Sequence, residues 1–234
     1  MTAQVPALRQ KQATIRAYLQ KDDVKKQVQM ALPKHLSADR LLRVAFTSIS
    51  KNPKLLDCTT ESLLGAIIQC SQLGLEPILG RAHLVPYKNR AKGVMEAQFQ
   101  PGYQGLVDLI RRTGEVSDVW AEVIYDADTY KVTYGLHRDL IHEPNYKASD
   151  RGAPVGAYAV IKYKDGTLGW TYMPVSEIYS KHRARSQAWK SAEQYKKYDS
   201  PWHTDEEPML KKTVLKVHSK LAPMSIESQT ATTV

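Results

Sequence analysis

Apolar positions recur every three or four residues through the first third of the chain, and beyond it they alternate. This change of period separates a helical region from a strand-rich one. Gln10 to Gln20 is polar with sparse apolar positions, and Asp22 to Leu32 runs up to the break at Pro33. Ser37 is placed to cap a helix over Ala38 to Ser50, where Leu41, Leu42, Ala45, Phe46 and Ile49 form one stripe. Thr59 or Thr60 caps a further helix, with Leu63, Leu64, Ile67 and Ile68 toward a core, that ends at Gly74 in Leu-Gly-Leu-Glu-Pro.

From Arg81 the period is two. Ala82 to Tyr87 and Met95 to Gln100 read as strands joined by Lys88-Asn89-Arg90-Ala91-Lys92-Gly93, which predicts a hairpin with a basic tip. Pro101-Gly102 ends the second strand, and Tyr103 to Thr113 forms a short helix with Leu106, Leu109 and Ile110 on one face. Further strands are predicted over Asp118 to Tyr125, Thr129 to Tyr134, Val155 to Lys164 and Thr167 to Met173, alternating as half-buried antiparallel strands do. Pro174 suits the first turn of a helix reaching about Arg183. Residues 184 to 201 are polar, aromatic and charged, and predict a mobile loop. A last helix spans Glu206 to Leu221.

Length and composition fit an ordered chain with one compact core and an N-terminal helical appendage, because no linker-like stretch interrupts Lys54 to Leu221. The predicted organisation is a basic helical region over 1–57, a core over 58–226 and a short polar tail over 227–234. No run approaches the length of a membrane span and the N-terminus lacks an apolar leader, so a soluble, cytoplasmic protein is expected. Cys58 and Cys70 stand twelve positions apart without a CxxC pair, and predict two small buried thiols. The histidines lack metal-ligand spacing.

Charge changes this picture. The chain carries a formal net charge of +9, concentrated at its ends: residues 1–57 hold eleven Lys and Arg against four Asp and Glu, and residues 181–234 hold ten against six. Clustered cations gain free energy by releasing counterions from a phosphate backbone, so a polyanionic partner is indicated, beside the alternative of a simple solvated surface. The sharpest feature is the last helix. Leu210, Val214, Val217 and Leu221 fall together on a helical wheel, while Lys212, Lys216 and Lys220 cluster opposite, with Lys211 on a flank. Glu206 and Glu207 lie in the first turn, where they favour the helix dipole rather than neutralise the row.

Three further segments carry candidate chemistry, each with a structural alternative. Gln100-Pro-Gly-Tyr-Gln-Gly105 is a strand-to-helix junction that could present backbone N–H groups to phosphate, with Tyr103 for stacking and Arg111 and Arg112 for charge. It could equally be a plain turn, and it lacks the Lys-Ser/Thr ending of a Walker loop. The hairpin tip combines Tyr87 with Lys88, Arg90 and Lys92, a pattern that also serves to prevent edge-to-edge pairing. Arg183, Arg185, Lys190, Lys196 and Lys197, interleaved with Trp189 and Tyr195, suit a single-strand-binding loop or disorder. His137-Arg138-Asp139-Leu140 copies the start of a kinase catalytic loop, but position 144 is Pro and no glycine-rich loop or Asp-Phe-Gly is present. The acidic residues have no spacing that forces a two-metal nuclease site. Nucleic-acid binding without catalysis is therefore expected.

Taken together, Ala31-Leu-Pro-Lys-His35, Ile67-Ile-Gln-Cys-Ser-Gln-Leu-Gly-Leu-Glu-Pro77, Leu84-Val-Pro-Tyr87, Pro101-Gly-Tyr-Gln-Gly-Leu-Val-Asp-Leu-Ile-Arg-Arg-Thr-Gly114, and Pro201-Trp-His through Met209-Leu-Lys-Lys-Thr-Val-Leu-Lys216 carry a resemblance. Over roughly residues 25 to 226 the chain resembles the RecT-like phage single-strand annealing proteins. That resemblance implies an α+β fold, mainly antiparallel sheet with a protruding β-hairpin, packed by helices behind an N-terminal helical region. It implies an ATP-independent protein of a bacterial host cell, phage- or prophage-encoded, that coats single-stranded DNA, pairs it with a complementary strand and holds the annealed duplex in a homo-oligomeric ring or helical filament. A phage 5′ to 3′ exonuclease is the implied partner. No cofactor is expected to be required, with Mg²⁺ as a possible aid to annealing. The hairpin finger would be Ala82 to Gln100, and a basic groove would take Tyr103, Gln104, Arg111, Arg112, Lys211, Lys212, Lys216 and Lys220. Family chains commonly extend in a polar, often acidic tail linked to host single-strand-binding protein; this sequence stops at Val234 after Ser-Gln-Thr-Ala-Thr-Thr, so either that contact is not expected or the tail was removed.

Overall fold

A computed structural model describes residues 4–33 and 36–222. Positions 34 and 35 of the Ala31 to His35 stretch and the tail over 227–234 lie outside the described residues. The chain divides into two compact units, the first running to Leu109 and the second from Ile110. Composition gives no sign of this division, because the boundary falls inside a helix rather than in a linker.

In the first unit, α1 (Gln4–Leu19), α2 (Asp22–Ala31), α3 (Ala38–Lys51) and α4 (Thr60–Leu73) precede a hairpin of β1 (Ala82–Asn89) and β2 (Val94–Pro101). The stripes seen in the sequence are the buried ones: Leu41, Leu42, Ala45 and Ile49 from α3, and Leu63, Ala66, Ile67 and Cys70 from α4. The Thr59 side chain caps α4 by accepting from Ser62 N–H, and Gly74 ends it in the left-handed conformation at φ 58°. Ser62 also ties α4 to the hairpin, its Oγ accepting from Ala97 N–H at 2.9 Å. Both thiols are free and buried. Burial pushes Cys70 up to about 12 and Cys58 up to about 11, which leaves neither reactive.

Helix α5 (Tyr103–Arg111) spans the boundary between the units. The second unit is built on an antiparallel sheet of β3 (Val116–Tyr125), β6 (Pro154–Tyr163) and β7 (Leu168–Pro174), with β6 central. A separate ribbon pairs β4 (Thr129–Thr133) with β5 (Asp139–Glu143). Around them come α6 (Val175–Lys181), α7 (Gln187–Tyr195), α8 (Pro201–Thr204) and α9 (Glu206–Ser219). The α+β class holds, with strands in three small antiparallel sets. One sequence expectation is corrected. Residues 184 to 201 are not a loop, since a 3-10 turn (Arg183–Arg185) and α7 occupy most of them, with Ser186 capping α7 by accepting from Trp189 N–H. The His137 to Leu140 stretch leads into β5, where Arg138 stacks 4.5 Å over the Trp170 ring and donates to its carbonyl.

Strand β6 is buried on both faces, from Gly156 to Ile161. On one face Ile124, Tyr158 and Val160 pack with Trp120, Leu140, Trp170 and Tyr172. That face is locked to the ribbon by Asp128, whose side chain is fully buried. Its carboxylate accepts two guanidinium bonds from Arg151, at 3.0 and 2.5 Å, and the backbone N–H groups of Tyr125 and Asn145. His142 sits 3.0 Å away and reaches Tyr158 with its other ring nitrogen. Arg151, then the backbone donors and His142, hold the Asp128 carboxyl far below the usual carboxylate range, against the opposing effect of burial.

Asp128→Ala strands a partly buried guanidinium and two backbone donors, and is expected to destabilise the second unit by about 3–5 kcal/mol. All four tryptophans lie in this unit, so urea unfolding followed by tryptophan fluorescence reads it selectively. Because the folded carboxyl is depressed, its contribution is complete above the unfolded value of about 4 and is lost as pH falls below it. The variant's stability should therefore vary less with pH in that acid range than the parent's.

Candidate nucleic-acid interface

Helix α9 packs on the face of the three-stranded sheet opposite the aromatic cluster. Register places Ala121, Ala159 and Thr171 side by side there, with Ala157 and Val123 adjacent, and the small side chains leave room for a helix. Thr171 Oγ1 meets His218 Nδ1 at 2.9 Å. The buried side of α9 comprises Leu210, Thr213, Val214, Leu215, His218 and Ser219. This arc is broader than the expected stripe and turned from it: Leu221 is 73% exposed and Val217 only half-buried.

That rotation decides the lysines. At about 100° per residue, Lys211 falls between His218 and Leu215, inside the buried sector. Its amine bridges Glu122 of β3 and Glu207, each at 2.9 Å, and Tyr125 Oη donates to the same Glu207 at 3.0 Å. Lys211 thus fastens α9 to the sheet, which corrects two expectations. It does not join the cation row, and Glu207 neutralises a lysine besides favouring the helix dipole. Burial acts to lower the Lys211 amine, but hydrogen bonds to Glu207 and Glu122, with their charges, outweigh it and raise its pKa.

Lys212, Lys216 and Lys220 occupy the remaining arc. Lys212 and Lys216 are half-buried, while Lys220 is exposed at the helix end. Burial and the neighbouring Lys216 lower the Lys212 amine; burial and Lys220 lower Lys216. The row extends beyond α9. His182 is lowered by burial first, then by Arg185, with Lys216 and Lys220 adding to the effect against Glu177. Arg185 therefore belongs to this cationic surface, with the His182 ring beside it held in its neutral form. A sequence view could not place them there, since only the packing of α6 beside α9 brings them near.

The other candidates are differently placed. At the hairpin tip Lys88, Arg90 and Lys92 are exposed, but Lys92 pairs with Glu96 at 3.1 Å and Tyr87 Oη accepts from Gln100 at 2.6 Å. Among the described residues Lys88 and Arg90 have no ion pair. Tyr103 is half-buried and Gln104 exposed at the start of α5. The glycines beside them have a packing reason: a Cβ at Gly102 or Gly105 would overlap the carbonyls of Gly80 and Arg81. Arg111 pairs with Asp118 at 2.6 Å, and Arg112 is exposed. Tyr103 and Gln104 belong to the first unit and the arginines to the second. Among the described residues, no group of three His, Cys, Asp or Glu side chains is placed to hold a metal ion, and no helix is long and apolar enough to cross a membrane.

The three α9 lysines adjacent in sequence or by one turn should titrate apart. In ¹³C-dimethylated protein, the Lys212 and Lys216 signals are expected to titrate below the ordinary lysine range and Lys211 above it, with each signal assigned by Lys→Arg substitution. The reverse order would contradict this packing of α9.

Comparison with known proteins bears on what such a surface serves. The family model described as RecT family matches residues 39–233. The chain is 38% identical over 226 residues to Protein RecT of Escherichia coli strain K12, an alignment covering 94% of this chain and 80% of that protein. It is 27% identical over 232 residues to the uncharacterized protein YqaK of Bacillus subtilis strain 168, covering 96% of this chain and 72% of that one. Most of both units lies within these matches, and the chain belongs to the RecT family of recombination proteins.

Proposed function

We propose that this protein anneals complementary DNA strands without ATP, coating a single strand through its cationic surfaces and holding the paired product in a ring or helical filament of identical subunits. The observation that carries this reading is the row Lys212, Lys216 and Lys220 on a helix fixed to the sheet, joined by Arg185, in a member of the RecT family. Amines whose charged form is disfavoured by burial and then by a neighbouring cation, as at Lys212 and Lys216, are stabilised by an anion, and a phosphate backbone supplies anions at regular spacing. Phosphate contacts position a strand without reading its sequence, so base edges stay open and complementarity is tested by the second strand.

Other parts of the chain have roles in the same reading. Lys88 and Arg90, with Tyr87 and Lys92, make the hairpin tip a second contact, and its apolar residues could part neighbouring bases as wedges do. Tyr103, Gln104, Arg111 and Arg112 are proposed to add contacts on either unit. The basic helices of 1–57 are proposed to join subunits, and the single strand would come from a 5′ to 3′ exonuclease. The chemistry needs no cofactor; Mg²⁺ would act by screening phosphates.

The expected outcome is that the protein accelerates annealing of complementary oligonucleotides, read by quenching of paired dyes, in the absence of ATP. Binding without acceleration would make it a passive single-strand-binding protein. Release of fragments from labelled DNA in Mg²⁺ would make it a nuclease.

A further inference from the structure

The segment between α6 and α9 contains a column of stacked planar groups. The Arg183 guanidinium lies 3.3 Å from the Tyr179 ring centroid and 4.3 Å from that of Trp189. Trp189 stacks on His203 at 4.3 Å with an interplanar angle of 14°, and Tyr198 meets His203 edge-on at 5.4 Å. The column is tied down along its length. Tyr179 Oη donates to Glu206 at 2.5 Å, and the two His203 ring nitrogens contact buried Ser200 at 2.7 Å and Glu193 at 3.1 Å. The Ser200–His203–Glu193 contact resembles a nucleophile and its base, but Ser200 is 3% exposed and out of reach of a substrate.

At its outer end the column stops at Tyr198, which closes the exposed run Tyr195-Lys196-Lys197-Tyr198. Both tyrosines are more than half exposed, at 63% and 60%. Among the described residues neither hydroxyl has a partner. Lys197 Nζ lies 5.9 Å from the Tyr195 ring, and Lys196 has no ion pair among the described residues. Backbone geometry makes this exposure informative. Lys196 and Tyr198 both have positive φ, 51° and 49°, which costs a residue with a side chain about 1–2 kcal/mol. Glycine or asparagine would make the turn at less cost. Instead the chain places a large aromatic there, and most of its ring gains nothing from burial. Residues 181–199 carry six Lys and Arg against two acids, so the surroundings favour an anion.

We propose that Tyr195 and Tyr198, with Lys196 and Lys197 between them, form a stacking seat for the bases of single-stranded DNA, separate from the α9 lysine row. The tyrosine rings receive unpaired bases and the two lysines the phosphates that link them. Duplex DNA offers no free base faces, so the seat selects unpaired strands. The column behind Tyr198 keeps the ring oriented before a base arrives, and little ordering is left to binding. This inference rests on the reading that the protein binds DNA.

The test measures affinity for oligo-dT at several salt concentrations and maps photocrosslinks from 5-iodouracil-containing oligo-dT. Tyr198→Gly removes the ring and relieves the turn, so thermal stability should not fall, while affinity drops about tenfold, within the range for loss of one stacked base. Its salt slope stays unchanged, because stacking releases no counterions. Tyr198→Phe retains full affinity, since the hydroxyl is unpartnered. Crosslinks should fall on Tyr195 or Tyr198. If the parent binds oligo-dT but Tyr198→Gly binds equally well and crosslinks map elsewhere, the seat is refuted and the DNA-binding reading survives. If the parent binds no oligo-dT, both fall.

Discussion

The seating of α9 on the sheet of β3, β6 and β7 is the contact from which the rest of the second unit's surface follows. Alanines at 121, 157 and 159 let the helix approach, and Leu210, Val214, Leu215 and His218 fill the space between. Once that arc is buried, the rotation of the helix is no longer free. Lys211 must meet the edge of β3, where Glu122 and Glu207 receive it, and Lys212, Lys216 and Lys220 must face outward. A helix turned by one residue would bury a lysine without a carboxylate, at a cost well beyond that of an ordinary surface change.

This arrangement separates two uses of one residue type. A lysine held between two carboxylates serves cohesion, and its charge is already compensated. Lys212 and Lys216 are half-buried beside another cation, and burial first and that neighbour second disfavour their charged forms. On the proposed reading, a polyanion would offset that cost. In the α7–α8 segment, Tyr198 meets His203 edge-on from an exposed, positive-φ position.

Much of the fold was legible because local rules governed it. Thr59 and Gly74 bounded α4 by capping chemistry, and alternation located β1, β2, β3, β6 and β7 to within a few residues. The family was legible too, since its motifs lie in these well-patterned segments. What was hidden depended on partners distant in sequence. Strand β5 is short and polar, and is made a strand by pairing with β4. Helix α7 mixes charged and aromatic residues like a loop, and is held by stacking on His203. Lys211 looked like a member of its row until Glu122, 89 positions away in the chain, was found beside it. Arg185 could join the cationic surface, with neutral His182 beside it, only through tertiary packing.

The central claim is that the outward lysines of α9 contact phosphate while Lys211 holds the helix in place. The salt dependence of single-stranded DNA affinity tests it most directly, comparing Lys212→Ala with Lys216→Ala combined against Lys211→Ala alone. The account predicts that the double variant lowers the slope of log affinity against log salt by about 1–2, whatever the DNA sequence, and that Lys211→Ala leaves the slope unchanged while lowering stability. An unchanged slope in the double variant, or a reduced slope in a stable Lys211→Ala protein, would contradict it.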